Sequence, residues 1–263
     1  MSRYAAMFAR GEGVFGAFVM LGDPGIAESA AILDELVAGG ADMIEVGIPF
    51  SDPIADGPVI QAAAVRALEA GTTPGACFAL LRDFRARHPE VPVGILTYAN
   101  LVLARGRDAF YRAAREAGVD SVLVADVPVD EADPFVAAAH AWGVDPVLIA
   151  AANTTADRLR WIARLGAGYT YCVARAGVTG ADEAVRFDHG AMLAALREAA
   201  APPSVFGFGI ARPDHVRAAL DAGAAGVISG SAIVDQVGRG EPVRAFVESM
   251  KMATRSLCTA GTR

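Results

Sequence analysis

The chain has 263 residues, 54% of them hydrophobic and 20% charged, and a formal charge of −7. That size and composition suit one large soluble domain covering residues 1–263, and the acidic balance argues against nucleic acid or an anionic membrane as a primary partner. Cys77, Cys172 and Cys258 have neither metal spacing nor an even count, so they read as idle thiols in a reducing compartment. Charges interrupt the N-terminal segment where a signal peptide needs an apolar core. The longest apolar run is about half of what a bilayer requires. The expected location is cytoplasmic.

Residues 2–10 read as a short amphipathic helix broken at Gly11. A strand at 14–21 follows, then Gly22-Asp23-Pro24-Gly25 and a helix at 26–37. Residues 43–48 form an apolar run interrupted only by Glu45, with the second strand expected at 43–47. Alternation puts Met43, Glu45 and Gly47 on one face and Ile44, Val46 and Ile48 on the other. Glu45 is thereby aimed into an interior, where an unpaired ionised carboxylate is expensive. Pro49-Phe50-Ser51-Asp52-Pro53 is too proline-rich to continue the strand. Asp56-Gly57-Pro58 closes the loop, and Pro58 opens a helix at 59–70.

Further helices are expected at 74–87, 107–117, 130–141, 155–165, 189–198, 214–221 and 242–254. Strands are expected at 93–97, 121–125, 146–150, 169–173, 204–208 and 226–229. Gly39-Gly40, Gly118 and Gly223 each end a helix in the manner of a left-handed cap and lead straight into a strand. Eight strands with their helices, and no linker-like stretch, predict a single (β/α)8 TIM barrel. It carries an extra N-terminal helix and extra helices in the βα segments. A doubly wound open sheet is the competing arrangement.

In a barrel, catalytic groups belong at the carboxyl ends of the strands. Glu45, Asp56, Tyr98, Asn100, Asp126, Tyr171 and Thr179 fall there. A carboxylate in a buried strand and a second in the following loop make a candidate acid/base pair. A structural ion pair and an ordinary Asp-Gly-Pro turn are the plain alternative. Three glycine-rich segments follow the last three strands: Gly177-Val178-Thr179-Gly180, Gly207-Phe208-Gly209-Ile210 and Ser229-Gly230-Ser231-Ala232. Glycine lets amides approach an anion closely, so the three together point to a phosphate, held without lysine by amides and hydroxyls. No dinucleotide fingerprint in its required context, Walker loop, nucleophile elbow or metal cluster is present. His88, His140, His189 and His215 read as solvated or structural.

Taken together, these segments resemble the tryptophan synthase alpha chain family. The resemblance runs from Leu21-Gly22-Asp23-Pro24-Gly25 through Glu45-Val46-Gly47-Ile48-Pro49-Phe50-Ser51-Asp52-Pro53 and Ala55-Asp56-Gly57-Pro58. It continues in Tyr98-Ala99-Asn100, Ala125-Asp126-Val127-Pro128, the glycine segments and Ile233-Val234. It implies cleavage of indole-3-glycerol phosphate to indole and glyceraldehyde 3-phosphate, with Glu45 as the principal acid/base and Asp56 accepting the indole N–H. Phe18, Leu96, Tyr98, Leu123, Ile149 and Phe208 would line a slot for the ring. Tyr171, Thr179, Gly180, Gly209, Gly230 and Ser231 would hold the glycerol phosphate end.

The resemblance also implies an α2β2 complex with a beta chain docked on Pro49, Asp52 and Pro53. No cofactor is expected in this chain; pyridoxal phosphate would belong to the partner. Residues 175–187 are the expected lid. Ala174 and Ala176 stand where the family often has serines, and Ala150-Ala151-Ala152-Asn153 replaces a proline-bearing loop. The rival functions are another phosphate-binding barrel enzyme such as a sugar-phosphate isomerase or epimerase, a free-standing indole-producing lyase, and a weakly active subunit serving mainly to activate a beta chain.

Overall fold

A computed structural model describes residues 1–173 and 189–255. Thr179, Gly180, the expected lid at 175–187 and Cys258 lie outside the described residues. The chain begins with α1 (Arg3–Phe8), β1 (Val14–Met20), α2 (Ile26–Ala38) and β2 (Met43–Gly47). Then come α3 (Pro58–Glu69), α4 (Pro74–Arg87), β3 (Val93–Thr97), α5 (Ala99–Leu103), α6 (Arg107–Glu116), β4 (Ser121–Val124) and α7 (Asp133–Ala141). The second half holds β5 (Asp145–Pro146), β6 (Leu148–Ala151), α8 (Ala156–Leu165), β7 (Thr170–Val173) and α9 (Gly190–Glu198). It ends with β8 (Ser204–Gly207), α10 (Pro213–Asp221), β9 (Gly226–Ser229), α11 (Ser231–Gly238) and α12 (Arg244–Met252).

All pairings are parallel, in the order β5-β4-β3-β2-β1-β9-β8-β7-β6. The two ends of that order are neighbours in the chain, separated by Val147 alone, so the sheet closes on itself. This is a TIM barrel, and the open-sheet alternative is excluded. One expectation needs correcting. The fifth stave, expected as one strand at 146–150, is two segments: β5 pairs with β4 and β6 with β7. The Asp145 and Val147 amides reach the Asp120 and Val122 carbonyls on the β4 side, at 2.8 and 3.0 Å, whereas Pro146 between them has no N–H for the other side.

The glycine signals explain the rise from helix to strand. Gly40, Gly118 and Gly223 have φ of +92°, +77° and +98°. The residue after each donates back to a carbonyl of the preceding helix (Ala41 to Leu36, Val119 to Ala114, Ala224 to Ala219). The next amide already joins the sheet, as in Asp42 to Phe15 and Asp120 to Val93. Side-chain alternation then splits the core in two. Phe15, Ala17, Val19, Ile44 and Val46 face the helices, whereas Phe18, Met43, Leu123, Tyr169, Tyr171, Val205 and Ile228 fill the barrel. The N-terminal helix closes the lower end: Tyr4 and Met7 join the inner cluster, and the Tyr4 hydroxyl lies 2.8 Å from Ser121 Oγ. Among the described residues no helix is long and apolar enough to cross a membrane.

The sequence reading missed α5. It is five residues long and has no side-chain cap from its own N-cap residue, Tyr98. Its first amide, on Ala99, is satisfied instead by Asp126 Oδ1 at 2.7 Å, from the end of the neighbouring strand. A helix capped from 27 residues away leaves no local signature.

Candidate active site

Glu45 sits mid-way along β2, facing inward between Phe18 of β1 and Gly94 of β3 in the strand register. Its side chain is 1% exposed. One carboxyl oxygen, Oε1, accepts a 2.6 Å hydrogen bond from the Tyr169 hydroxyl. The other, Oε2, has no partner among the described residues. Burial pushes the carboxyl up to about 7, with the Tyr169 bond a smaller opposing influence. A buried acid with one free oxygen and a pKa near neutrality can give and take a proton at physiological pH.

Asp56 follows from the loop geometry. After β2 the chain runs through buried Pro49 and half-buried Phe50, whose ring lies 5.5 Å from that of Tyr98. The Ala55 amide donates to the Tyr98 hydroxyl at 3.2 Å, and Gln61 Nε2 holds the Asp56 carbonyl at 2.8 Å. Pro58 then starts α3 behind the Gly57 N-cap. These ties keep Asp56 in a site where burial raises its carboxyl to about 6, offset in part by a hydrogen bond from Tyr98. The two carboxylates share a neighbour. The Tyr171 hydroxyl is driven well above its ordinary pKa by burial first, and then by the charges of both Glu45 and Asp56.

Apolar side chains of the barrel interior surround them. Phe18, Leu123 and Tyr171 are buried members of the barrel-interior cluster, with Leu96, Ile149 and Phe208 partly buried against it; Tyr98 is buried beside Phe50. Tyr171 meets Phe208 edge to face, with ring centroids 5.9 Å apart at 87°. Gly207 makes that approach possible, because a Cβ there would stand 1.9 Å from the Tyr171 hydroxyl oxygen. Phe208 and Gly209 both adopt left-handed backbone, at φ +65° and +75°. For a phenylalanine that conformation costs on the order of 1–3 kcal/mol, and such strain gathers at functional sites. Next to this turn, Gly230 N-caps α11 and the amides after it open the helix outward, with Ser231 as its first residue.

One site assignment changes. Pro49 is buried, so it shapes the loop and offers no surface, whereas Asp52 is exposed and Pro53 half-exposed. The residue that stands out beside them is Ile54, 75% exposed, which the sequence reading passed over. It also passed over Tyr169 as a site residue. The alternation that turned Tyr171 inward puts Tyr169 on the same face, but nothing local pairs it with a glutamate 124 positions away. Asn100 is exposed and Asp126 caps α5. Among the described residues no group of three or more His, Cys, Asp or Glu could hold a metal.

A closed parallel barrel holding two raised carboxyl groups among apolar side chains, beside glycine turns and a helix N-terminus, has the form of a TIM-barrel enzyme. The family model of the tryptophan synthase alpha chain matches residues 4–261. The tryptophan synthase alpha chain of Shewanella amazonensis is 54% identical over 266 residues, covering 97% of this chain and 100% of that protein. That of Escherichia coli O157:H7 is 52% identical over 268 residues, with 97% and 100% covered. Among solved structures, Mycobacterium tuberculosis tryptophan synthase superposes with a TM-score of 0.88 at 29% identity over 97% of this chain and 98% of that one. The alpha subunit from Legionella pneumophila gives 0.84 at 28% identity, with 97% and 98% covered. The chain belongs to the tryptophan synthase alpha chain family, and it carries the family's lyase activity in tryptophan biosynthesis.

Proposed function

We propose that this chain cleaves indole-3-glycerol phosphate into indole and glyceraldehyde 3-phosphate by a retro-aldol reaction, with Glu45 and Asp56 as its catalytic residues. The observation that carries the assignment is Glu45: buried, titrating near 7, with Tyr169 holding one oxygen and the other free. The reaction moves one proton from the side-chain hydroxyl to ring carbon C3. Protonation at C3 makes the ring cationic. As the hydroxyl proton leaves, its oxygen becomes the aldehyde carbonyl and the C–C bond breaks, returning its electron pair to the ring and releasing neutral indole. The free Glu45 oxygen is suited to carrying that proton. Asp56 accepts the indole N–H and stabilises the positive charge that peaks in the transition state.

The ring occupies the slot of Phe18, Leu96, Tyr98, Leu123, Ile149 and Phe208. The phosphate lies against the amides of Gly209, Gly230 and Ser231, with Thr179 and Gly180, outside the described residues, as further contacts. Tyr171 lies at the glycerol portion. The partner is a beta chain that receives indole at the barrel mouth. A related chain from Pyrococcus furiosus, with a TM-score of 0.81 and 32% identity, comes from a tryptophan synthase complex. Here Asp52, Pro53 and above all the exposed Ile54 form a docking surface on the loop that carries Asp56. Occupying it would steady Asp56 and raise the rate. Indole release from indole-3-glycerol phosphate, measured with and without a beta chain, tests the reading. Release by the chain, faster with the partner, is expected; no release under either condition would overturn it.

A further inference from the structure

The turn after β8 is held by a residue that the reaction itself does not use. We infer that His215 is a positioning residue for the anion-binding turn: its ring N–H holds the Gly209 carbonyl and so fixes the turn whose Gly209 amide is proposed to meet the substrate's phosphate. His215 lies in the first turn of α10, and its Nδ1 is 2.8 Å from the Gly209 carbonyl oxygen. The Ala211 amide approaches the same nitrogen at 3.3 Å. The tautomer protonated on Nδ1 donates to Gly209, and the other would accept from Ala211; a carbonyl oxygen at 2.8 Å, the shorter contact, assigns the proton to Nδ1.

The consequence follows from peptide geometry. The bond between Gly209 and Ile210 is trans, and a trans peptide carries its C=O and N–H on opposite edges. With the Gly209 carbonyl drawn toward α10, the plane of this peptide, and with it the course of the chain leaving Gly209, is fixed. One residue on, the buried Ser229 hydroxyl donates to the Ile210 carbonyl at 2.6 Å. The turn is therefore pinned at two successive carbonyls, from α10 and from the end of β9. Phe208, immediately before these two residues, keeps a left-handed backbone although it is not glycine. Around the imidazole, Arg212 is occupied bidentately by Asp214, at 3.1 Å through both contacts.

The inference rests on the phosphate site proposed above, and the experiment separates the two. His215→Phe keeps a flat ring and removes the donor, whereas His215→Asn puts an amide N–H close to where Nδ1 stood. In steady-state turnover of indole-3-glycerol phosphate, the Phe variant should raise KM about tenfold with kcat within about twofold. It should weaken inhibition by glycerol 3-phosphate by the same factor, and the Asn variant should recover most of the loss. Unchanged KM in a folded Phe variant, or equal losses in both variants with lowered Tm, would overturn the role. Gly230→Asp is the companion variant, since a Cβ at Gly230 meets only ordinary contacts with Phe18, at 3.5 Å and beyond. If Gly230→Asp abolishes glycerol phosphate affinity while His215→Phe does not change it, only the inference about His215 fails. If neither matters, the phosphate site itself is misassigned.

Discussion

Replacing Glu45 with glutamine separates what the residue does from what its burial costs. The carboxyl titrates near 7 in the folded chain and near ~4.3 in an unfolded one. Between those values the native state holds the proton more tightly, so folding stability is fully present below the unfolded pKa and falls as pH rises through about 7. At roughly 1.4 kcal/mol per tenfold change in proton affinity, ionisation of Glu45 removes about 3–4 kcal/mol by pH 8. Glutamine cannot titrate. Its Oε1 can still accept from Tyr169, and its unpartnered amide replaces the equally unpartnered O–H of the neutral acid.

Glu45→Gln should therefore match the parent near pH 4 and exceed it by about 3 kcal/mol at pH 8, a rise of roughly 6–12 °C in Tm for a chain of this size. Turnover should fall by about 10²–10⁴-fold, because the proton carrier is gone. Unfolding monitored by circular dichroism across that pH range, beside indole release, measures both. Parallel stability profiles for the two proteins would show that burial does not elevate this carboxyl. Turnover within tenfold of the parent would remove Glu45 from the chemistry.

Tyr98→Phe deletes the hydrogen bond that holds Asp56 down. The Asp56 limb of the pH–rate profile should move to higher pH, and an unmoved or lowered limb would contradict the assignment. Gly207→Ala forces a methyl into the Tyr171 hydroxyl; turnover should drop at least about tenfold through displacement of Tyr171, and unaltered kinetics would show that the ring can move aside freely. Ile54→Asp places a charge on the exposed apolar tip of the loop. It should cut the acceleration by a beta chain several-fold while the basal rate holds, and an equal fall in both rates would make the loop a part of the chemistry only. Asp56→Asn keeps an acceptor for the indole N–H without its charge, so it should slow turnover less than Glu45→Gln. A change in Tm alone would make Asp56 structural.

The local sequence determined the barrel and the inward direction of its first carboxylate. Strand alternation, proline at a helix start and the glycine cap before a strand are each set by a few neighbouring residues. Hence 43–47, 74–87, 93–97 and 226–229 were readable to the residue, and so was Glu45 facing Met43's side of the strand. Tertiary structure decided what those residues became. Glu45 acquired a pKa near 7 because the closed barrel removes it from water and supplies Tyr169 from 124 positions away. The fifth stave divides at Val147 between its two neighbours, next to a proline that lacks an N–H, and the first amide of α5 is capped by Asp126 from the next strand. His215, read from sequence as solvated or structural, met the Gly209 carbonyl only when α10 folded back beneath that turn. Direction along a strand is a local property; burial, partners and proton affinity are sums over atoms that only the closed barrel brings together.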